Sequence, residues 1–86
     1  MTINITQDHI ANGEKMACRR CPAALAIADA TGIRDVYVNG ASVGFYLHSH
    51  RESVSMCPGS LATFVRDFDA GYDVEPLSFD LEVPNA

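Results

Sequence analysis

Two cysteines two residues apart give this chain a pair with the spacing of a metal-binding or redox site. Cys18 and Cys21 flank two arginines and precede Pro22, where a helix is about to begin. Two thiolates at this spacing can share a zinc ion, but a closed structural site needs four ligands. Cys57 and His9 are the further ligands that complete the candidate zinc set.

The predicted topology decides whether these ligands meet. If the middle of the chain forms a three-stranded meander, both main helices begin at one end of the sheet. Cys57 then lies near the cysteine pair, with His9 in the adjoining connection. In a ferredoxin-like order, Cys57 moves to the opposite end and no cluster forms. His48 and His50 fall in a predicted turn far from the pair.

A cysteine pair at a helix N-terminus is also the local arrangement of thiol–disulfide oxidoreductases. The adjacent Arg19 and Arg20 would favour the thiolate. However, the strand order differs from that of thioredoxin, and no cis-proline loop is recognisable. An odd number of cysteines does not indicate a disulfide framework. The remaining interpretation is that the three cysteines are small core-facing hydrophobic residues.

Three cations precede the first main helix, in a chain whose formal charge is −5. Lys15, Arg19 and Arg20 predict a docking point for an acidic protein partner, and the alternative is ordinary solvated charge. Six of the eleven carboxylates follow Arg66. Because a negative field repels phosphate backbones, we expect no nucleic acid among the partners.

The elements that must position these residues follow from hydrophobic periodicity. Apolar residues that alternate with polar ones predict strands, and the Asn39-Gly40 pair predicts a hairpin. Pro22 in a first turn and Gly32 as a stop bound one helix. The predicted strands cover residues 2–6, 36–38, 43–47, 54–56 and 77–83, and the predicted helices cover 23–31 and 61–70.

The two helices differ in their apolar pattern. The first is apolar on nearly every side, so it is either deeply packed or half covered by a partner. The second has one apolar stripe, with Ser60 as its expected N-cap and Gly71 as its end. The stripe consists of Leu61, Phe64, Val65 and Phe68.

These elements predict an α+β fold in a single domain, residues 1–86. The favoured arrangement is a single mixed sheet of order β-α-β-β-β-α-β, with two helices on one face. The alternative treats residues 49–57 as a loop, which gives the ferredoxin-like order β-α-β-β-α-β.

Two segments resemble a group of small proteins of actinobacteria and their phages. The front half carries HIANG at 9–13 and CRRCPAALA at 18–26, and the tail carries FVRDFDAG at 64–71 and VEPLSF at 74–79. The resemblance implies a phage or prophage setting and carries over no catalytic residue.

The function expected from these patterns is a non-enzymatic protein-binding module, such as a phage-encoded modulator or inhibitor of a host or defence protein. The alternatives are a small structural or virion-associated protein that forms a homo-oligomer, and a zinc-binding domain. No apolar run approaches the ~20 residues that cross a membrane. The first residues lack the regions of a signal peptide, so we expect a cytoplasmic protein without a membrane partner.

Overall fold

The computed structural model describes residues 1–47 and 51–84. The α+β class is confirmed, and a short helix after the first strand is added to the predicted order. His48 and His50, with most of their predicted turn, lie outside the described residues. The elements are β1 (Thr2–Ile5), α1 (Gln7–Asn12), α2 (Pro22–Thr31), β2 (Asp35–Val38), β3 (Ser42–Tyr46), β4 (Glu52–Met56), α3 (Gly59–Asp69) and β5 (Leu77–Asp80).

The strands form two antiparallel sheets. β1 pairs with β5, with Ile3 opposite Phe79, and β2, β3 and β4 form a meander in that order. The prediction of a single mixed sheet is therefore imprecise. Between β4 and β5, the Ser55 hydroxyl donates to the Glu82 carbonyl oxygen at 2.8 Å, but no ladder joins the two strands. The ferredoxin-like alternative is wrong, because residues 52–56 form a strand paired with β3.

The helix boundaries follow the local signals only in part. α2 begins with Pro22 and ends before Gly32, as predicted. Its N-cap is Cys21, whose sulfur accepts the Ala24 N–H at 3.4 Å. α3 begins one residue before Ser60, the expected cap, and has no side-chain cap hydrogen bond. The apolar stripe of α3 is buried as predicted.

The β2–β3 hairpin is held by the side chain of Asn39. Its Oδ1 accepts the N–H groups of Ala41 and Ser42, at 3.0 and 2.8 Å. Gly40 has a φ of 84°, which glycine adopts without a Cβ penalty. The predicted turn therefore fixes the register that places Val38 opposite Val43.

The hydrophobic core surrounds α2, which packs against β1, β2 and α1. Phe45 of β3 is fully buried, and the Phe64 and Phe68 rings of α3 stack 6.4 Å apart. Five of the ten residues of α2 are buried within the chain itself, so packing inside the chain accounts for much of its all-round apolar pattern. Within the described ranges, no helix has the length and apolarity needed to cross a membrane.

Candidate binding surface on the three-stranded sheet

The predicted zinc ligands are not assembled into a metal site. Among residues 1–47 and 51–84, no three His, Cys, Asp or Glu side chains converge so that they could hold a metal ion. The ring of His9 is engaged elsewhere. Thr6 donates its backbone N–H to Nδ1 at 3.0 Å, so Nδ1 carries no proton, and Nε2 lies 2.7 Å from a carboxylate oxygen of Asp29. Nδ1 thus caps the start of α1, and Nε2 ties α1 to α2.

The three cysteines occupy different environments along one end of the meander. Cys18 is exposed, and its carbonyl oxygen accepts the Val38 N–H at 2.9 Å on the outer edge of β2. Cys21 is only 3% exposed, and burial raises the pKa of its thiol. Cys57 is partly buried; burial and the neighbouring Cys21 raise its pKa. A raised pKa disfavours the thiolate that metal binding and redox exchange both require.

The predicted basic docking point is divided by acidic neighbours. Arg19 lies 3.5 Å from Asp35 and Arg20 lies 3.4 Å from Glu14, in exposed pairs that contribute little to stability. Arg19 also stacks over the Tyr46 ring, 5.3 Å from its centre. Arg19 therefore belongs to a surface that the sequence patterns did not reveal.

The loop between α1 and α2 carries Lys15 and is anchored to α3. The backbone N–H of Met16 donates to the Asp69 carboxylate at 3.0 Å. Asp69 thus has a structural partner far from it in sequence. The Lys15 ammonium lies beside Gly71, beyond the end of α3.

The side of the meander that faces away from the core carries an aromatic pair. Tyr37 lies across Gly44, and the ring centres of Tyr37 and Tyr46 are 5.9 Å apart. The Tyr37 hydroxyl donates to Glu52 at 3.1 Å. Hydrogen bonding to the Glu52 carboxylate raises the pKa of both tyrosines, and Arg19 opposes that shift. The Tyr37 ring thus lies across the sheet, and the Tyr46 ring is tilted 42° from it, with Arg19 over its face.

The third strand of the meander adds exposed apolar side chains to this face. Val54 is 55% exposed and Met56 is 87% exposed. Both lie on the same side of β4 as Glu52, because side chains alternate along a strand. We call the set of Tyr37, Tyr46, Val54 and Met56 the outer face. An exposed Met beside aromatic side chains is a composition that binding surfaces favour.

β4 is an edge strand, and the pattern of its ladder shows which backbone groups are free. Leu47 donates to Arg51 and Cys57 donates to Ala41, so odd-numbered residues of β4 face β3. The N–H and C=O groups of Glu52, Val54 and Met56 therefore point away from the sheet. Along the described chain, β4 has β3 as its only partner strand. Such an edge is a template for another strand.

The same reasoning identifies the edge of β5 and of the residues after it that faces away from β1, where the Glu82 carbonyl oxygen accepts the Ser55 hydroxyl. Leu81 and Met1 exchange backbone hydrogen bonds, so odd-numbered residues of this strand face β1. The backbone groups of Asp80 and Glu82 point the other way. An open groove of about 420 Å³ lies between the two edges. We call it the edge groove; it is lined by Val54, Ser55, Met56, Asp80, Leu81 and Glu82.

The sequence patterns identified the strands of this surface but not its role. A glycine inside a strand pattern is a signal of close approach by another group, and Gly44 is such a position. The sequence places Asp80 and Glu82 among the acidic residues after Arg66 and on the polar side of the last predicted strand. Their place beside β4 depends on how β5 packs, which local periodicity does not encode.

No protein-family model, no curated protein and no solved structure matches this chain.

Proposed function

We propose that this chain is a non-enzymatic protein-binding module that contacts its partner through the outer face and the free edge of β4. The observation that carries the proposal is the exposure of Val54 and Met56 next to unpaired backbone groups of the same strand. Apolar side chains supply contact area, and the strand edge supplies directed hydrogen bonds. In the phage setting that the resemblance implies, the partner is a host or defence protein.

The aromatic pair supports this choice of surface. Tyrosine is enriched at protein interfaces, because it buries a large ring and keeps a polar hydroxyl. Tyr37 and Tyr46 are ordered before a partner arrives, since Gly44, Glu52 and Arg19 fix their positions. A surface ordered in advance loses less entropy on binding.

Site-specific photo-crosslinking in the native host tests the proposal. A photoreactive amino acid at Met56 should give one dominant cross-linked protein, identified by mass spectrometry. The matched control places the same amino acid at Thr63, which is exposed on α3, away from the sheet. Equal capture at both positions, or capture only at Thr63, would remove the outer face as the binding surface.

A second candidate function rests on the same free edge. An edge strand can pair with its own copy, so a small structural or virion-associated homo-oligomer is the alternative. Sedimentation equilibrium separates the two. A monomer of 9.3 kDa at micromolar concentration favours the binding module, and a dimer that Met56→Glu dissociates favours the oligomer.

A further inference from the structure

The edge groove lies between two strand edges that no ladder joins in the described part of the chain. Even-numbered residues of β4 point their backbone groups into it from one side, and Asp80 and Glu82 do so from the other. Neighbouring strands in a sheet lie about 4.8 Å apart and bond through their backbones. Here no ladder crosses the gap, and the contact across it is the hydrogen bond that the Ser55 hydroxyl donates to the Glu82 carbonyl oxygen at 2.8 Å.

The charges around the groove are of one sign. Asp80 and Glu82 line it and are exposed, and no Lys or Arg is among its lining residues in the described part of the chain. The apolar contribution comes from Val54 and Met56 on one wall and the buried Leu81 in the other. A ligand that complements this arrangement has cationic side chains beside the carboxylates and apolar side chains against β4.

We infer that the edge groove binds an extended peptide segment in which Lys or Arg residues alternate with β-branched apolar residues. The peptide adds to β4 as a fourth strand of the meander. Its backbone pairs with the outward N–H and C=O groups of Glu52, Val54 and Met56. Its apolar residues lie on the same face of the sheet as Val54 and Met56, and its cations, on the opposite face, lie beside Asp80 and Glu82. This inference rests on the proposed function and specifies the kind of segment that the partner presents.

The direct test uses the synthetic hexapeptide acetyl-Lys-Val-Lys-Val-Lys-Val-amide. Titration followed by nuclear magnetic resonance should move the amide signals of Glu52, Val54, Met56, Asp80 and Glu82 first. A peptide with Glu in place of Lys should bind about tenfold more weakly at low salt, because its charges are repelled. Equal affinity for the two peptides, or shifts centred on another surface, would overturn the inference.

Two variants separate strand addition from charge attraction. Val54→Pro removes an N–H that points away from β3, and proline is tolerated at that position of an edge strand. It should abolish peptide binding while the protein stays folded. If Val54→Pro does not fold, a hexapeptide methylated on alternate amide nitrogens takes its place, since it keeps the charges and loses the ladder. If the hexapeptide bound Val54→Pro as well as it binds the unaltered protein, or if the methylated hexapeptide bound as well as the original one, strand addition would be overturned.

Charge neutralisation has a matched control in the same acidic region. The double variant Asp80→Asn, Glu82→Gln should weaken binding about tenfold, whereas Asp73→Asn, Glu75→Gln changes the same charge outside the groove and should not. An equal effect of both pairs would mean that only net charge matters, against the inference.

If the peptide does not bind but cross-linking at Met56 still captures a partner, the peptide inference fails and the binding module stands. A dimer that Val54→Pro dissociates would show that a second copy occupies the edge, which also overturns the inference.

Discussion

The ring of Tyr37 occupies the space that a side chain at Gly44 would need. A Cβ placed on Gly44 would overlap the Cε1 and Cζ atoms of Tyr37, on the strand paired with it. This overlap explains a glycine in the central strand of the meander, where glycine otherwise weakens pairing. The absence of a Cβ lets Tyr37 lie flat and reach Glu52 on the far strand.

Gly44→Ala should therefore lower the free energy of unfolding by about 1–3 kcal/mol, because the Tyr37 ring must leave its position. Urea denaturation gives the value. In a Tyr37→Ala background the same substitution should cost little or stabilise the protein, since Ala in a strand is about 0.5–1 kcal/mol better than Gly. An equal cost in both backgrounds would mean that the Tyr37 contact is not the reason for the glycine.

The three cysteines should react with a thiol reagent in an order set by their exposure. We expect Cys18 to be labelled first, Cys57 next and Cys21 last, because Cys21 is buried at the start of α2. Timed alkylation followed by peptide mass spectrometry checks the order. Rapid labelling of Cys21 under native conditions would contradict the burial of this end of the helix.

Burial of Cys21 also predicts how stability changes with pH. Its thiol pKa is raised above the ordinary value of 9.0 in the folded chain. The contribution of the Cys21 thiol to the free energy of unfolding is therefore intact below about pH 9. It is lost as the pH rises through the pKa that this thiol has in the folded state. Cys21→Ser keeps a cap acceptor but has no thiol, so its stability should fall less steeply above pH 9. Urea denaturation of both proteins on either side of that pH is the measurement, and parallel curves would refute the prediction.

Glu52 should control the ionisation of both tyrosines of the outer face. Glu52→Gln removes the carboxylate whose hydrogen bonds raise the pKa of Tyr37 and Tyr46, so both should ionise at lower pH. Arg19→Gln should make both tyrosines ionise at higher pH, because Arg19 lowers their pKa. Ultraviolet titration of tyrosinate measures these changes. Asp80→Asn removes one charge elsewhere, and an equal shift in that variant would contradict a local effect of Glu52.

The tie between α1 and α2 should be measurable as a stability difference. His9→Ala removes both the reciprocal cap with Thr6 and the contact with Asp29, and should cost about 1 kcal/mol. Gln7→Ala, an exposed change in the same helix, should cost much less. Thermal denaturation compares the variants. If added zinc stabilised the natural protein but not His9→Ala, His9 would be a ligand and this account would be wrong.

Much of the fold could be predicted from the sequence, because the signals for its elements are local. The stripe on α3, the alternation in β5 and the Asn39-Gly40 turn each depend on residues close together in the chain. β5 nevertheless ends at Asp80, although its alternation continues to Val83. The backbone bonds with the β1 segment end one pair later, between Met1 and Leu81 at the start of the chain, and alternation alone does not mark that point.

The candidate site was far less predictable, because its contacts join residues that are distant in sequence. The metal hypothesis placed His9 with the cysteines, but His9 bonds to Asp29, twenty residues away. The basic cluster was recognised from sequence proximity, yet its arginines separate towards different acidic partners.

By itself, the sequence determined the α+β class, the order of the main elements and the buried face of most strands, since apolar periodicity and turn residues act over a few positions. β4 is the exception, because its apolar residues Val54 and Met56 are exposed. Only the tertiary structure decided that the strands divide into two sheets and that, along the described chain, no ladder joins β4 to β5. Strand pairing joins segments far apart in the chain, and its outcome depends on how α2 and α3 pack between those segments.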